Sequence, residues 1–286
     1  MNRSARRRLI SKFAAFVCFA LTLLACWPLF SVLFEVGSRG YGVLSWNFLS
    51  QDPDFQIVPG SGFVYTGGIW PAIAGTGLVV GLATLLGAPI GLASGMFLSE
   101  YGRNKFGDVV RTFVDAMAGI PSIVAGLFGY AFWVTKHGFS AWAGAIALAV
   151  LMIPTITRTT EEALRTVPQS LRDASLALGG PRWYTTLRIV VPAAAAPIIT
   201  GLLLGLARIA GETAPLLLTV ATSSFFNADP SQPVATLPYV VYNYITDAND
   251  SKVAQGWGAA LVLISGVLLL NIVVRLLTRT RRRRAA

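Results

Sequence analysis

Two oppositely charged residues, four positions apart, interrupt an apolar stretch in the last third of the chain. Arg208 and Glu212 lie within the segment 205–215, GLARIAGETAP. A charge near the centre of a bilayer costs about 2.5–3.5 kcal/mol on insertion scales, so ionisable residues there are candidates for function. At this spacing the two side chains share a helical face and can neutralise each other. The planar guanidinium of arginine also matches the geometry of oxyanions.

Two interpretations of this pair stay open. In the first, an arriving anion displaces Glu212 from Arg208, and both residues, with the adjacent Thr213, line the pathway of an anionic substrate. In the second, the two residues form a permanent ion pair that holds two helices together. Asp115, near the start of an earlier apolar stretch, is a further intramembrane ionisable residue. We expect it either to pair with an arginine or to lie near the membrane interface as a helix cap.

Metal and disulfide chemistry have little support in the sequence. Cys18 and Cys26 are the two cysteines, eight positions apart in one apolar stretch. On a helix they would be about 12 Å apart along the axis, which is too far for a disulfide. His137 is the single histidine. We therefore predict that this chain provides no metal site.

A charged segment, 158–192, lies between two apolar stretches. We predict that a helix begins at Thr160, with Glu161 and Glu162 in its first turn, where acids favour the helix dipole. Pro168 ends this helix. A second short helix is predicted over 170–178, because the Gly-Gly-Pro run at 179–181 is a strong stop signal.

The second short helix carries one apolar stripe, formed by Leu171, Ala174, Ala177 and Leu178. Small residues on such a stripe suit insertion into a groove on another protein. The polar residues Arg172, Asp173 and Ser175 are then left for the rim of the contact. In the alternative interpretation, the helix lies on the membrane domain of its own chain.

The composition is that of a membrane protein, with 54% hydrophobic and 13% charged residues. Soluble domains carry about 25% charged residues, and a membrane-spanning helix needs about 20 apolar residues. We therefore predict an all-α membrane protein with six transmembrane helices. The apolar stretches are 13–34, 69–99, 109–133, 139–157, 193–221 and 256–277.

The positive charges favour one side of the membrane. If the N-terminus is cytoplasmic and the six helices alternate, all of the 23 cations except Arg39, Lys136, Arg208 and Lys252 fall on the cytoplasmic side. This asymmetry follows the positive-inside rule and places both termini and the 158–192 segment in the cytoplasm. We interpret the basic ends as signals for orientation and anionic-lipid contact rather than as a nucleic-acid site.

The predicted organisation has five parts. They are a basic cytoplasmic N-terminus (1–12), a first transmembrane helix (13–34), an outer loop with little regular structure (35–68), a transmembrane domain (69–277) and a basic cytoplasmic tail (278–286). Glycines in the second and third apolar stretches predict close helix packing, and Pro89, Pro121 and Pro215 predict interruptions or kinks. A short amphipathic helix is expected around Leu237 and Val240.

Three motifs in order resemble one family. These are EEALRTVP at 161–168, GIPSIVAGLF at 119–128 and RIAGETAP at 208–215. Together they are similar to the PstA permeases, the family of membrane subunits of bacterial phosphate ABC importers. The cytoplasmic segment resembles the EAA loop of such importers, with Asp173 in place of the usual Glu, Ser175 in place of the frequent Ala, and Val191-Pro192 in place of Leu-Pro.

The resemblance implies a type I (MetI-like) permease core in helices two to six with a cytoplasmic coupling helix. It assigns contact with the ATPase to Leu171, Asp173, Ala174, Ser175, Leu178 and Gly179. The partners that it implies are a PstC-like sister permease, two PstB-like ATPase subunits and a periplasmic phosphate-binding protein. The location that it implies is the bacterial inner membrane.

The expected function is ATP-driven import of inorganic phosphate by alternating access. Because the chain contains no Gly-x-x-x-x-Gly-Lys-Ser/Thr motif, we expect the ATPase partner, and not this chain, to bind ATP and magnesium. The alternative within the same class is import of molybdate or sulfate. An ion channel, a membrane-embedded enzyme and a purely structural subunit are further alternatives with less support.

Overall fold

The computed structural model describes residues 3–58 and 62–282, so the ends of the two predicted basic segments lie outside the described residues. The N-terminal elements are α1 (Arg3–Gly40), a 3₁₀ turn (Tyr41–Val43), α2 (Trp46–Ser50), β1 (Phe55–Val58) and β2 (Gly62–Tyr65). The central elements are α3 (Trp70–Glu100), α4 (Lys105–Ala118), α5 (Ser122–Gly129), a π-helical turn (Tyr130–Val134), α6 (Thr135–His137) and α7 (Ala141–Arg165). The C-terminal elements are α8 (Gln169–Ala177), α9 (Arg182–Thr185), a π-helical turn (Thr186–Val190), α10 (Val191–Ala193), α11 (Ala195–Ala210), α12 (Ala214–Thr219), α13 (Leu237–Ile245) and α14 (Asp250–Arg282).

Four of the described helices are long and apolar enough to cross a membrane, and the number rises to six if each of two bent helix pairs counts as one span. The single spans are Ser11–Val43, Trp70–Glu100, Ala141–Arg165 and Asp250–Val273. The bent pairs are Lys105–Ala118 with Ser122–His137, at 100°, and Arg182–Ala193 with Ala195–Ala210, at 74°. The all-α, multi-span fold class is therefore confirmed.

Two of the predicted spans are not continuous helices. The predicted stretch 109–133 breaks between α4 and α5, where Pro121 adopts an extended conformation (φ −57°, ψ 138°). Proline has no amide N–H and disfavours helical geometry in the preceding residue, which explains the break. The predicted stretch 193–221 ends as a helix at Ala210 and resumes at Ala214, with Pro215 in the new first turn. Pro89, in contrast, lies inside the uninterrupted helix α3.

The segment 35–68, predicted as an outer loop, is more ordered than the sequence predicted. α1 continues to Gly40, and the side chain of Ser45 caps α2 by accepting a hydrogen bond from the Phe48 amide. β1 and β2 form an antiparallel hairpin in which Phe55 pairs with Tyr65. The prediction of little regular structure here is wrong, because contacts with the far end of the chain, such as the Tyr65 amide donating to Ser251 Oγ at 3.0 Å, hold the hairpin.

Helices α3 and α7 pack along their lengths and form the centre of the fold. Glycines of α3 make this approach close, as predicted. A Cβ atom added to Gly91 would lie 2.8 Å from Ile156 Cβ, and one added to Gly95 would lie 2.6 Å from Thr160 Cβ. The fully buried side chains of this core include Val79, Leu148 and Met152.

The predicted helix start at Thr160 is wrong. Helix α7 continues without interruption from Ala141 to Arg165, and Thr160 is buried within it. The predicted amphipathic helix around Leu237 is confirmed as α13, with Leu237 and Val240 buried. α13 packs against α14, so this short helix lies next to the last span.

Candidate functional site

The Arg208–Glu212 pair lies at a helix break. Arg208 is in the last turn of α11, where a cation is favourable to the helix dipole, and Gly211 ends that helix. Glu212 and Thr213 form the connection to α12, so the expectation that both charged residues share one continuous helical face is wrong. Arg208 Nε lies 3.7 Å from Glu212 Oε1, beyond the length of a good hydrogen bond, and the Arg208 side chain is 53% exposed.

The same break brings two of the sequence motifs together. A Cβ atom added to Gly126 of α5 would lie 2.6 Å from Cα of Pro215. Only glycine allows this approach of α5 to the start of α12. The Thr213 carbonyl accepts hydrogen bonds from the Leu216 and Leu217 amides, at 3.1 Å each, and so starts α12. The motif at 119–128 therefore supports the helix break that carries Arg208 and Glu212.

Asp115 of α4 forms an ion pair with Arg158 of α7. Both side chains are about half exposed. Of the two expectations for Asp115, pairing with an arginine is the one that this contact matches, and the partner belongs to this chain. The pair links α4, on one side of the 100° bend, to the central helix α7.

The short helix predicted over 170–178 is confirmed as α8, Gln169–Ala177. Pro168 precedes its first residue, and Gly179 follows it with φ +82°, a left-handed conformation that favours glycine. Asp173, Ala174 and Leu171 are exposed, and Leu178 is 90% exposed. An apolar surface of this kind is available to another protein.

Two residues of α8 face their own chain rather than the rim of this surface. Ser175 is 6% exposed, and its Oγ atom lies 2.8 Å from Thr185 Oγ1 in a hydrogen bond between the hydroxyls. Arg172 donates from Nε and Nη2 to the two carboxylate oxygens of Glu100 at the end of α3, at 3.1 and 2.7 Å. The predicted rim positions of Ser175 and Arg172 are therefore wrong.

The environment of Arg172 is that of a structural anchor. Its guanidinium also donates to the carbonyl oxygens of Leu164 and Val167, at 2.9 and 2.7 Å. The hydrogen bond with Glu100 is the main cause that raises the pKa of Arg172. α8 is thereby fixed to the ends of both α3 and α7.

A second ion-pair network lies next to this anchor and was missed in the sequence. Glu161 is 4% exposed, and its Oε1 accepts hydrogen bonds from Arg111 Nε at 2.9 Å and from Arg165 Nη2 at 2.6 Å. Arg111 also donates to Asp108 and to the Leu98 carbonyl. The prediction that Glu161 lies in the first turn of a helix is therefore wrong, and Glu161 instead joins α4 to α7. The spacing of Glu161 and Arg165, four residues apart, was the available signal.

Residues 87–284 match the family described as "Binding-protein-dependent transport system inner membrane component". The phosphate transport system permease protein PstA of Yersinia pestis is 38% identical over 96% of this chain and 92% of that protein. The PstA of Haemophilus influenzae is 40% identical over 88% of this chain and 86% of that protein. The PstA of Xylella fastidiosa strain 9a5c is 42% identical over 74% and 75%, respectively.

Solved structures support the same fold. A chain of the inward-facing MetNI methionine ABC transporter aligns with a TM-score of 0.59 and 20% identity over 74% of this chain and 94% of that chain. A chain of a bacterial alginate ABC transporter, in complex with its pentasaccharide-bound periplasmic protein, aligns with a TM-score of 0.65 and 14% identity over 95% and 97%, respectively. The chain belongs to the family of binding-protein-dependent transport system inner membrane components and, within it, to the PstA phosphate transport permeases.

Proposed function

We propose that this chain is the membrane-spanning permease subunit of an ATP-driven importer that carries inorganic phosphate into the cytoplasm by alternating access. Relatives that align over most of the chain bear the name of phosphate transport permeases. Their names favour phosphate over the alternatives of molybdate and sulfate. ATP hydrolysis belongs to a separate subunit, which binds ATP and magnesium.

One observation carries the assignment of the anion pathway. Arg208 is half exposed at a break between two helices, and its contact with Glu212 is long, at 3.7 Å. Phosphate has one to two negative charges at neutral pH, and these need compensation in a passage of low dielectric constant. A guanidinium that is loosely held by one carboxylate can exchange it for an oxyanion. Arg208, Glu212 and Thr213 are therefore assigned to the substrate pathway.

The exposed face of α8 is assigned to the contact with the ATPase. Leu171, Ala174 and Leu178 present an apolar edge, with Asp173 beside them. On the opposite side, Arg172 and Ser175 attach α8 to the rest of the chain. A movement imposed on α8 by ATP-driven closure of the ATPase would thus pass directly to α3 and α7. Gly179 permits the sharp end of this coupling helix.

The family to which the chain belongs supports the proposed assembly. This assembly contains a PstC-like sister permease, two PstB-like ATPase subunits beneath α8, and a periplasmic phosphate-binding protein on the opposite side. The chain is a multi-pass protein of the bacterial inner membrane. In the proposed orientation both termini and α8 are cytoplasmic, whereas the β1–β2 hairpin and α13 lie on the outer side.

The test is phosphate uptake by the complete importer reconstituted in proteoliposomes. Arg208→Ala should insert and assemble but lose uptake by at least about tenfold. The variant cannot form the hydrogen bond between the guanidinium and phosphate, and a hydrogen bond to a charged group contributes about 1.5–3 kcal/mol. The matched control is Arg39→Gln. Arg39 pairs with Glu35 within α1, which is distant in sequence from the Arg208–Glu212 pair. Wild-type uptake by Arg208→Ala would refute the pathway. Stronger competition by molybdate or sulfate than by unlabelled phosphate would refute the substrate.

A further inference from the structure

A cavity of about 980 Å³ lies between the end of α3 and the coupling helix α8. One wall is the α3–α4 connection, with Tyr101 and Arg103, and the other comes from α8 and α9, with Leu176 and Arg182. It is separate from the Arg208–Glu212 pair, neither of whose residues lines it. In the proposed orientation this cavity opens on the cytoplasmic side.

The lining of this cavity is strongly basic. Five arginines and a single carboxylate line it: Arg103, Arg111, Arg165, Arg172, Arg182 and Glu100. Hydroxyl and amide groups complete the polar wall, among them Thr166, Thr185 and Gln169. A cavity with this lining favours an anion over an apolar or cationic ligand.

Three of the five arginines are already neutralised. Arg172 pairs with Glu100. Arg111 pairs with Glu161 and Asp108, and Arg165 shares Glu161. Three carboxylates therefore face three arginines, at distances of 2.6–3.0 Å.

Two arginines of the cavity have no such partner. Arg103 and Arg182 are exposed and form no ion pair within residues 3–58 and 62–282. They belong to two different segments of the lining, the α3–α4 connection and the start of α9. Their two uncompensated charges match a phosphate group, which has one to two negative charges at neutral pH.

We propose that this cavity binds a phosphate group from the cytoplasmic side, held by Arg103 and Arg182. Arginine is suited to this task because its planar fork donates two parallel hydrogen bonds to phosphate oxygens. The phosphate group is that of an anionic phospholipid headgroup or of free inorganic phosphate. Exposed Trp183 and Tyr184 follow Arg182 and are typical of a membrane interface, which suits a headgroup. Basic pockets on the cytoplasmic side of membrane proteins bind such headgroups.

The bound phosphate group would link the two walls of the cavity. It would join the α3–α4 connection to the α8–α9 segment and so support the Arg172–Glu100 anchor from the other side. This effect on coupling rests on the proposed function of α8. The binding itself does not, because it depends on the charges of the cavity alone.

The test measures thermal unfolding of the purified complete importer in detergent, in the background of Arg208→Ala to silence the substrate pathway. One arm adds phosphatidylglycerol, with phosphatidylcholine as its reference. The other arm adds sodium phosphate, with sodium chloride at equal ionic strength as its reference. We expect a saturable rise in the midpoint temperature with phosphatidylglycerol, with sodium phosphate, or with both, and the arm that responds identifies the source.

The double variant Arg103→Gln/Arg182→Gln should raise the half-saturating concentration at least about tenfold, as expected for the loss of charged hydrogen bonds. Arg188→Gln is the matched control, since Arg188 is an exposed arginine of the next helical turn that does not line the cavity. A double variant that responds like the control would overturn the proposal, and so would a wild-type cavity with no saturable response in either arm. Normal phosphate uptake by Arg208→Ala would refute the proposed substrate pathway, but it would not change the dependence of the unfolding midpoint on the added phosphate group.

Discussion

Arg172 of α8, the proposed coupling helix, and Glu100 at the end of α3 form a bidentate ion pair in which both side chains are almost buried, with 13% and 11% exposure. The pair joins the surface proposed to meet the ATPase to α3, one of the two central helices of the packed core. Removing one partner of a buried ion pair is strongly destabilising, by about 3–5 kcal/mol, because the other charge is left unpaired. Here that cost falls on the attachment of α8 to the core.

Substitution of this pair should uncouple ATP hydrolysis from transport. We expect Arg172→Gln to lower phosphate uptake per ATP hydrolysed by about tenfold or more, because a detached α8 no longer transmits movement. Glu100→Gln should be milder, since Arg172 still donates to the Leu164 and Val167 carbonyls. The measurement is uptake and ATP hydrolysis in the same proteoliposomes.

The reversed pair Glu100→Arg/Arg172→Glu provides the control for this prediction. It should recover part of the coupling but not all of it, because a glutamate cannot donate to the two carbonyl oxygens. An Arg172→Gln variant that transports as many phosphate ions per ATP as the wild type would contradict the role of the anchor.

The exposed edge of α8 should tolerate small residues but not bulk. Ala174 is exposed, so Ala174→Trp should leave the fold intact and prevent the helix from entering a groove on the ATPase. We expect the ATPase subunits to be lost on co-purification. Ala174→Ser is the matched control, since it changes polarity with little change in size and should keep the complex together. Retention of the ATPase by Ala174→Trp would show that this edge is not the contact.

Close packing of α3 on α7 should make Gly95 sensitive to substitution. A Cβ atom there would lie 2.7 Å from the Thr157 carbonyl oxygen, and overpacking of this kind costs about 1–3 kcal/mol. We expect Gly95→Val to lower the midpoint of thermal unfolding in detergent. Gly77→Val on the same helix should not, because a Cβ atom added at Gly77 meets no other atom within 4 Å. Equal midpoints for the two variants would contradict this packing.

The local sequence predicted those elements that depend on local signals. α8 follows from Pro168 and Gly179, and α13 from its apolar spacing. The helical stretch breaks before α5 at Pro121, which the sequence predicted as an interruption or kink. In each case, a residue that restricts the backbone or a periodic apolar pattern lies inside the element itself.

Other features depend on partners far away in the chain and were missed. The sequence predicted a separate helix from Thr160, yet α7 runs without a break from Ala141 to Arg165, and Glu161 within it is held by Arg111, which is 50 residues away. The β1–β2 hairpin depends on Asn249 and Ser251, which bond to Phe63 and Tyr65 from 186 residues away. A single sequence gives no signal of such contacts. The inward orientation of Arg172 was missed for the same reason, since Glu100 is 72 residues away.

The substitution Glu212→Gln distinguishes between the two interpretations of the Arg208–Glu212 pair. If Glu212 is a carboxylate that an anion must displace, Glu212→Gln removes a competitor and leaves Arg208 without its counter-ion. Phosphate should then bind more tightly, with a lower half-saturating concentration, and leave more slowly, with a lower maximal uptake rate. If the pair is a structural link instead, Glu212→Gln should lower the thermal stability and leave the half-saturating concentration unchanged.

The long contact between the two residues, 3.7 Å, and the exposure of Arg208 favour the first outcome, because exposed ion pairs contribute little to stability. The measurement is the concentration dependence of phosphate uptake in proteoliposomes, together with the unfolding midpoint of the same preparation. Glu35→Gln, which breaks another pair at four-residue spacing, with Arg39 in α1, is the matched control and should change neither quantity. A lower midpoint with an unchanged half-saturating concentration for Glu212→Gln would assign the pair to structure and leave Arg208 without a carboxylate to exchange.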